Sequence, residues 1–102
     1  MLAIARLGDR AYGRAILSEA QLRLQREVSA GAVYATLDRL EHKGLISSYL
    51  VSGTPIRAGR PRRYYVIEDA GVNALNESRE AMLSMWNGIS WPLKGTVHAY
   101  GN

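Results

Sequence analysis

Cysteine is absent from the 102 residues of this chain. That excludes disulfides and thiolate metal sites, and it is compatible with a reducing cytoplasm. No run approaches the roughly 20 consecutive apolar residues that cross a bilayer. The opening Met1-Leu2-Ala3-Ile4-Ala5-Arg6-Leu7 is too short for a signal-peptide core, and no basic region precedes it. The expectation is a cytoplasmic protein with no membrane partner. Histidine is scarce. His42 and His98 stand far apart, whereas a metal site needs several ligands in a cluster. Internal repeats and low-complexity runs are missing. Acids, too, are lacking over one stretch: they stop at Glu41 and resume only at Glu68.

Within that gap lie Lys43, Arg57, Arg60, Arg62 and Arg63, with no intervening carboxylate to neutralise them. The run Gly59-Arg60-Pro61-Arg62-Arg63-Tyr64-Tyr65 places three arginines and two aromatics between a glycine-bearing loop and a β-like segment. A catalytic site rarely needs uncompensated cations. A loop that rests on a polyphosphate does, because each Lys or Arg near a phosphate releases condensed counterions. The plainer reading is a solvated basic loop. A nucleotide-phosphate loop is not indicated, since no Gly-Lys-Ser/Thr follows. The net charge of +4 and pI near 9.8 suit nucleic acid or an anionic surface, although many ordinary proteins share so mild a bias. A chain of this length makes one domain near the low end of what buries a real core, and such a chain is often helped by a partner subunit.

Periodicity divides the chain into four helices and two strands. Residues 1–7 are apolar with helical spacing at Leu2, Ile4, Ala5 and Leu7. Gly8-Asp9-Arg10 reads as a turn. A second helix is predicted over 12–25, with Gly13, Ile16, Leu17, Ala20 and Leu24 inside about 100° of arc and Leu22 pointing away. Ser29 can cap a third helix that runs to about Lys43, where Gly44 is a natural stop. Its inward face is Val33, Leu37 and Leu40. Its outward face is Gly31, Tyr34, Ala35, Asp38, Arg39 and His42, and the outward residues near its start are small or aromatic rather than Lys and Glu. Residues 45–51 and 62–67 read as strands of a hairpin around a loop at 52–59. Tyr65 and Ile67 share one face of the second strand; Tyr64 and Val66 share the other. A last helix begins near Asp69, whose charge suits the positive end of the helix dipole. Val72, Leu75, Met82, Leu83, Trp86 and Ile89 form one stripe along it, longer than a small core can cover. The tail 90–102 reads as irregular.

The order helix, helix, helix, strand, basic loop, strand, long helix is that of a winged helix-turn-helix with a dimerisation helix. The residues resemble the PadR family of bacterial transcriptional regulators. The family pattern Ser-x-Gly-x-Val-Tyr-x-x-Leu-x-x-Leu-Glu is matched by Ser29, Gly31, Val33, Tyr34, Leu37, Leu40 and Glu41. Gly44-Leu45 follows, then the Gly59 to Tyr65 run, then Asp69-Ala70-Gly71, and Tyr12-Gly13 fits the start of the second helix. The likeness covers about residues 2–89. Ala30 stands where a proline is common, and Glu68 stands where a threonine usually caps the last helix.

The resemblance implies an α+β, mostly helical fold. A winged helix-turn-helix DNA-binding domain occupies 1–67, a C-terminal dimerisation helix 68–89 and an irregular tail 90–102. It implies a sequence-specific DNA-binding transcriptional regulator, a repressor acting as a homodimer on a pseudo-palindromic operator. The expected duplex contacts are Tyr12, Ser29, Ala30, Gly31, Tyr34, Ala35, Asp38 and Arg39, with Arg57, Arg60, Arg62 and Arg63 in the wing. The expected dimer contacts are Val72, Leu75, Met82, Leu83, Trp86 and Ile89. Some relatives hold a flat aromatic effector beside an indole on this helix, which Trp86 with Met82, Leu83 and Met85 would allow; plain dimer packing explains the same residues. Tyr64 and Tyr65 read as hairpin packing residues. So few long side chains on the third helix imply that part of the specificity comes from DNA shape. The alternative is a winged-helix interaction module that no longer binds DNA. No cofactor, metal or catalytic activity is expected. Asp38 and Glu41 lie three apart on one helix, but Arg39 and Lys43 surround them, and Ser29 is fully explained as a cap.

Overall fold

The computed structural model describes residues 1–52 and 61–95. The loop and wing positions Arg57, Gly59 and Arg60, and the tail residues from 96 on, with His98 among them, lie outside the described residues. The elements are α1 (Leu2–Leu7), a 3-10 turn (Gly8–Arg10), α2 (Gly13–Leu24), α3 (Ala30–His42), β1 (Ile46–Val51), β2 (Arg62–Ile67) and α4 (Asp69–Trp86). β1 and β2 pair antiparallel in the register Ile46↔Ile67 through Val51↔Arg62. The strands form where β-branched and aromatic residues alternate between two faces. The inner face carries Ile46, Tyr65 and Ile67. The outer face carries Tyr49, Tyr64 and Val66.

A short extra pairing ties the hairpin to the helices. The Tyr65 N–H donates to the Ala11 carbonyl at 2.8 Å, and Tyr12 bridges Tyr64. The segment between the 3-10 turn and α2 therefore lies along the β2 edge. The core gathers side chains of α1, α2, α3 and both strands: Ile4, Ala11, Ile16, Leu37, Ile46 and Tyr65 are buried, with Met1, Ala3, Leu7, Val33, Leu40 and Ile67 packed around them. Burial also pushes the Tyr65 hydroxyl pKa above its ordinary value. α1 differs from the expected face. Ile4 and Leu7 point inward with Met1 and Ala3, while Leu2 and Ala5 are exposed. Leu2 sits two positions from Ile4, and two positions on a helix are about 200° apart. Leu24, expected inside, is also exposed at the end of α2.

α4 starts where the chain leaves the hairpin. The Glu68 N–H donates to the Leu45 carbonyl at 2.9 Å. The Glu68 side chain does not cap the helix; its carboxylate accepts instead from the Ser47 hydroxyl. Gly71 is buried because a Cβ there would overlap the Leu45 carbonyl oxygen and the Ile67 side chain. The helix ends at Trp86, earlier than the stripe predicts. Asn87 leaves helical geometry (φ −56°, ψ 126°) and Gly88 takes φ 85°, so Ile89 lies beyond α4 rather than on it. Only the first half of α4 rests on the hairpin. The remainder projects, and the chain extends 63 Å along its longest axis.

Candidate nucleic-acid interface

α3 begins with a formed cap. The Ser29 hydroxyl accepts the Ala32 N–H at 3.0 Å, which satisfies one of the free donors of the first turn. The helix presents Gly31, Ala32 and Ala35 outward, all exposed. A Cβ at Gly31 would meet nothing within 4 Å. The packing of this chain therefore does not require glycine there; close approach by something outside it would.

Tyr34 is set by α2. Its ring lies against Gly13, where a Cβ would sit 2.6 Å from Cε1 and 2.7 Å from the hydroxyl oxygen. Gly13 thus makes room for the ring, which remains 42% exposed. Tyr12 directly precedes α2. Its ring meets Tyr64 edge-on at 5.6 Å, and Tyr64 stacks on Tyr49 at 5.8 Å. The Arg62 guanidinium carbon lies 4.0 Å from the Tyr12 ring centroid. That cation–π contact aims Arg62 back toward the helices. Tyr12, Gly13, Tyr34 and Arg62 line a cleft of about 250 Å³ between α2, α3 and the hairpin. Arg14 lines the same cleft and was missed by sequence reasoning. Its position in the first turn of α2, two residues after Tyr12, was the available signal.

Arg63 behaves differently because neighbouring strand residues point to opposite faces. Its Nη1 donates to the Ser48 hydroxyl at 2.9 Å, and that hydroxyl donates to Glu41 Oε2 at 2.6 Å. The wing therefore does have a neighbouring carboxylate. Glu41 is distant in sequence from Arg63 but is brought to it by the turn at Gly44, which takes φ 75°. Arg63 thus reaches Glu41 only through the Ser48 hydroxyl and stays exposed, whereas Arg62 is half-buried over the Tyr12 ring; both line the cleft. Of the remaining expected contacts, Ala30, Asp38 and Arg39 are exposed on α3 beside Gly31 and Ala35. Among the described residues no group of three His, Cys, Asp or Glu side chains is placed to hold a metal. No helix among them is long and apolar enough to cross a membrane.

A second surface lies along α4. Along the projecting part of α4, Met82, Leu83 and Met85 are 58%, 52% and 76% exposed, with Trp86 half-buried. Val72 is exposed nearer the start and Leu75 is half-buried. Leu75 also lines an apolar groove of about 490 Å³ with Leu2 and Leu24. Arg6 and Arg23 hold Glu19 at the rim of that groove, at 4.0 and 2.9 Å. Exposed Leu2 and Leu24, unexpected from the sequence, are thus part of one feature.

Comparison with known proteins bears on the family and the fold. Residues 1–77 match the model of the transcriptional regulator PadR-like family. Over 75 residues the chain is 41% identical to transcriptional regulator Rv3488 of Mycobacterium tuberculosis, a match covering 74% of this chain and 64% of that protein. The fold is similar to the crystal structure of a PadR family transcriptional regulator from Eggerthella lenta, with TM-score 0.67 and 27% identity over 86% of this chain and 74% of that one. It is also similar to a PadR family transcription regulator from a hypervirulent Clostridium difficile, with TM-score 0.61 and 28% identity over 84% and 91% of the two chains.

Proposed function

We propose, from the premise that the chain belongs to the PadR-like family of transcriptional regulators, that it binds operator DNA as a homodimer and represses by occluding the polymerase. The observation that carries this reading is the convergence of Tyr12, Tyr34, Arg14 and Arg62 beside the small-residue face of α3. α3 enters the major groove, where Gly31 and Ala35 allow close approach and Ser29 and Tyr34 reach phosphates or base edges. Arg62 meets the backbone next to it, and Arg57 and Arg60 continue the same basic wing in sequence. Arg63 carries a hydrogen bond to Ser48 and remains exposed beside Arg62.

The dimer forms through the exposed stripe of α4, with the functional helix at 69–86 and the DNA-binding unit at 1–67. Apolar residues left exposed over the projecting turns support this. So does the Leu2, Leu24 and Leu75 groove, which offers a second apolar surface to the partner. Two copies then place their α3 helices about one helical turn apart, roughly 34–36 Å, as a pseudo-palindromic site requires. A flat aromatic effector beside Trp86 would act by changing the angle between the two heads, and must bind the two arrangements with different affinity.

Titration of a fluorescent genomic duplex at several salt concentrations tests the reading. The wild type binds with a steep negative salt slope. Arg62→Ala weakens binding to all sequences and makes the slope shallower by about one charge per head. An unchanged slope removes Arg62 from the interface, and no binding in dilute buffer overturns the function.

A further inference from the structure

We propose that Arg39 is the base-reading side chain of α3 and that Thr36 is the positioning residue that aims it at a guanine, an inference that rests on the duplex-binding reading above. The outward face of α3 carries few long side chains. Tyr34, seated over Gly13 with its ring partly exposed, offers a single hydroxyl and so cannot make a two-pronged contact with one base. Asp38 is exposed but its carboxylate can only accept hydrogen bonds. His42 ends the helix and Lys43 caps it. Arg39 stands in the last turn, and its guanidinium is held back by a contact one turn earlier.

The holding contact is a two-step chain. Thr36 Oγ1 donates to the Ala32 carbonyl at 2.9 Å, which fixes the orientation of the hydroxyl. Its free lone pair accepts from Arg39 Nη2 at 3.3 Å. Thr36 and Arg39 are three positions apart and so lie on the same side of the helix, and helical side chains tilt toward the N-terminus in any case. The guanidinium is thereby drawn back along the face where Ala32 and Ala35 offer only methyl groups. Among the described residues no carboxylate pairs with it; the ion pairs there are those of Arg6 and Arg23 with Glu19.

Thr36 takes one hydrogen of Nη2. The other Nη2 hydrogen, with Nη1 or Nε beside it, remains as a pair of parallel donors. In the major groove guanine offers two acceptors, N7 and O6, to such a pair. Adenine offers one acceptor and one donor, and its amino group would face an Arg hydrogen. The arrangement therefore selects G·C at one position of each half-site.

Selection of bound duplexes from a random library with the full chain tests this. The wild type is expected to recover one fixed G·C pair per half-site. Arg39→Ala loses that pair, with discrimination falling about tenfold or more. Thr36→Val keeps the branched shape but not the hydroxyl. It lowers the guanine preference several-fold while leaving nonspecific affinity and salt slope unchanged, and Thr36→Ser restores it. An Arg39→Ala protein that selects the same pair overturns the proposal. So does identical behaviour of Thr36→Val and Thr36→Ser, or a wild type that binds duplexes with no preferred pair. A wild type that binds no duplex at all overturns the functional reading and this inference with it.

Discussion

Gly13 and Tyr34 are the residue pair on which the interface most directly depends. A methyl at position 13 would sit 2.6 Å from Tyr34 Cε1. The obstacle is the end of a half-exposed side chain, so the ring swings away and the fold survives. Gly13→Ala is therefore expected to lose about 1 kcal/mol of stability or less, because alanine also favours the helix. It should nevertheless weaken duplex binding about as much as Tyr34→Ala does. Thermal melting beside a binding titration checks both; full affinity in Gly13→Ala would mean that the position of the Tyr34 ring is immaterial. Tyr65 gives a second test at this scale. Burial raises its pKa in the folded state above the usual value of 10.0. The folded protein thus holds that proton more tightly than the unfolded chain. The associated stability is complete below pH 10 and is lost as pH rises through the folded-state pKa. Urea midpoints of the wild type should fall more steeply above pH 10 than those of Tyr65→Phe; parallel curves would assign the alkaline loss to other groups. Residue chemistry was legible where a local motif decides it, as with the Ser29 cap of α3. It was not legible for Arg63, which bonds Ser48 across the hairpin and reaches Glu41 only through that hydroxyl.

Elements were recovered from the sequence wherever period and punctuation agreed. β2 falls on Arg62–Ile67 because aromatic and β-branched residues cluster there, and α3 falls on Ala30–His42 because Ser29 caps it and Gly44 ends it. α4 shows the opposite case. Ile89 continues the apolar spacing of Trp86, and that periodicity outweighed the Asn87-Gly88 stop, which is the stronger local signal. The buried seat of Gly71 depends on where Leu45 ends up, and no local pattern contains that information. The α3 cap separates stability from binding. Ser29→Ala removes an accepted hydrogen bond and should cost about 1 kcal/mol. Ser29→Asp caps as well and suits the positive end of the helix dipole, so its stability should match the wild type. Placed against a duplex, that carboxylate repels phosphate. Ser29→Asp is thus expected to melt like the wild type and bind DNA worse than Ser29→Ala. A tighter-binding Asp variant would place the start of α3 away from the backbone.

The whole molecule has two dissimilar surfaces, and its elongated shape keeps them apart. One is cationic and aromatic, around Tyr12, Tyr34 and Arg62; the other is apolar, along the projecting turns of α4. Their separation means that association and duplex contact can be altered independently. Leu83→Glu with Trp86→Glu places two carboxylates where apolar side chains are proposed to meet, and an unpaired buried charge is costly enough to keep the copies apart. Sedimentation should then report monomers. Each head keeps its own contacts, so the change in DNA binding follows from valency alone. A second head tethered to the first meets its half-site at an effective concentration on the order of millimolar, and losing it should weaken operator binding by about a hundredfold or more. The number of neutralised phosphates halves as well, so the slope of log affinity against log salt should fall to about half. Both effects must appear together. A monomer that retains the full slope would mean that one head makes all the phosphate contacts. A dimer that persists would move the contact to the Leu2, Leu24 and Leu75 groove, and Leu2→Glu with Leu24→Glu would then be the pair that dissociates it.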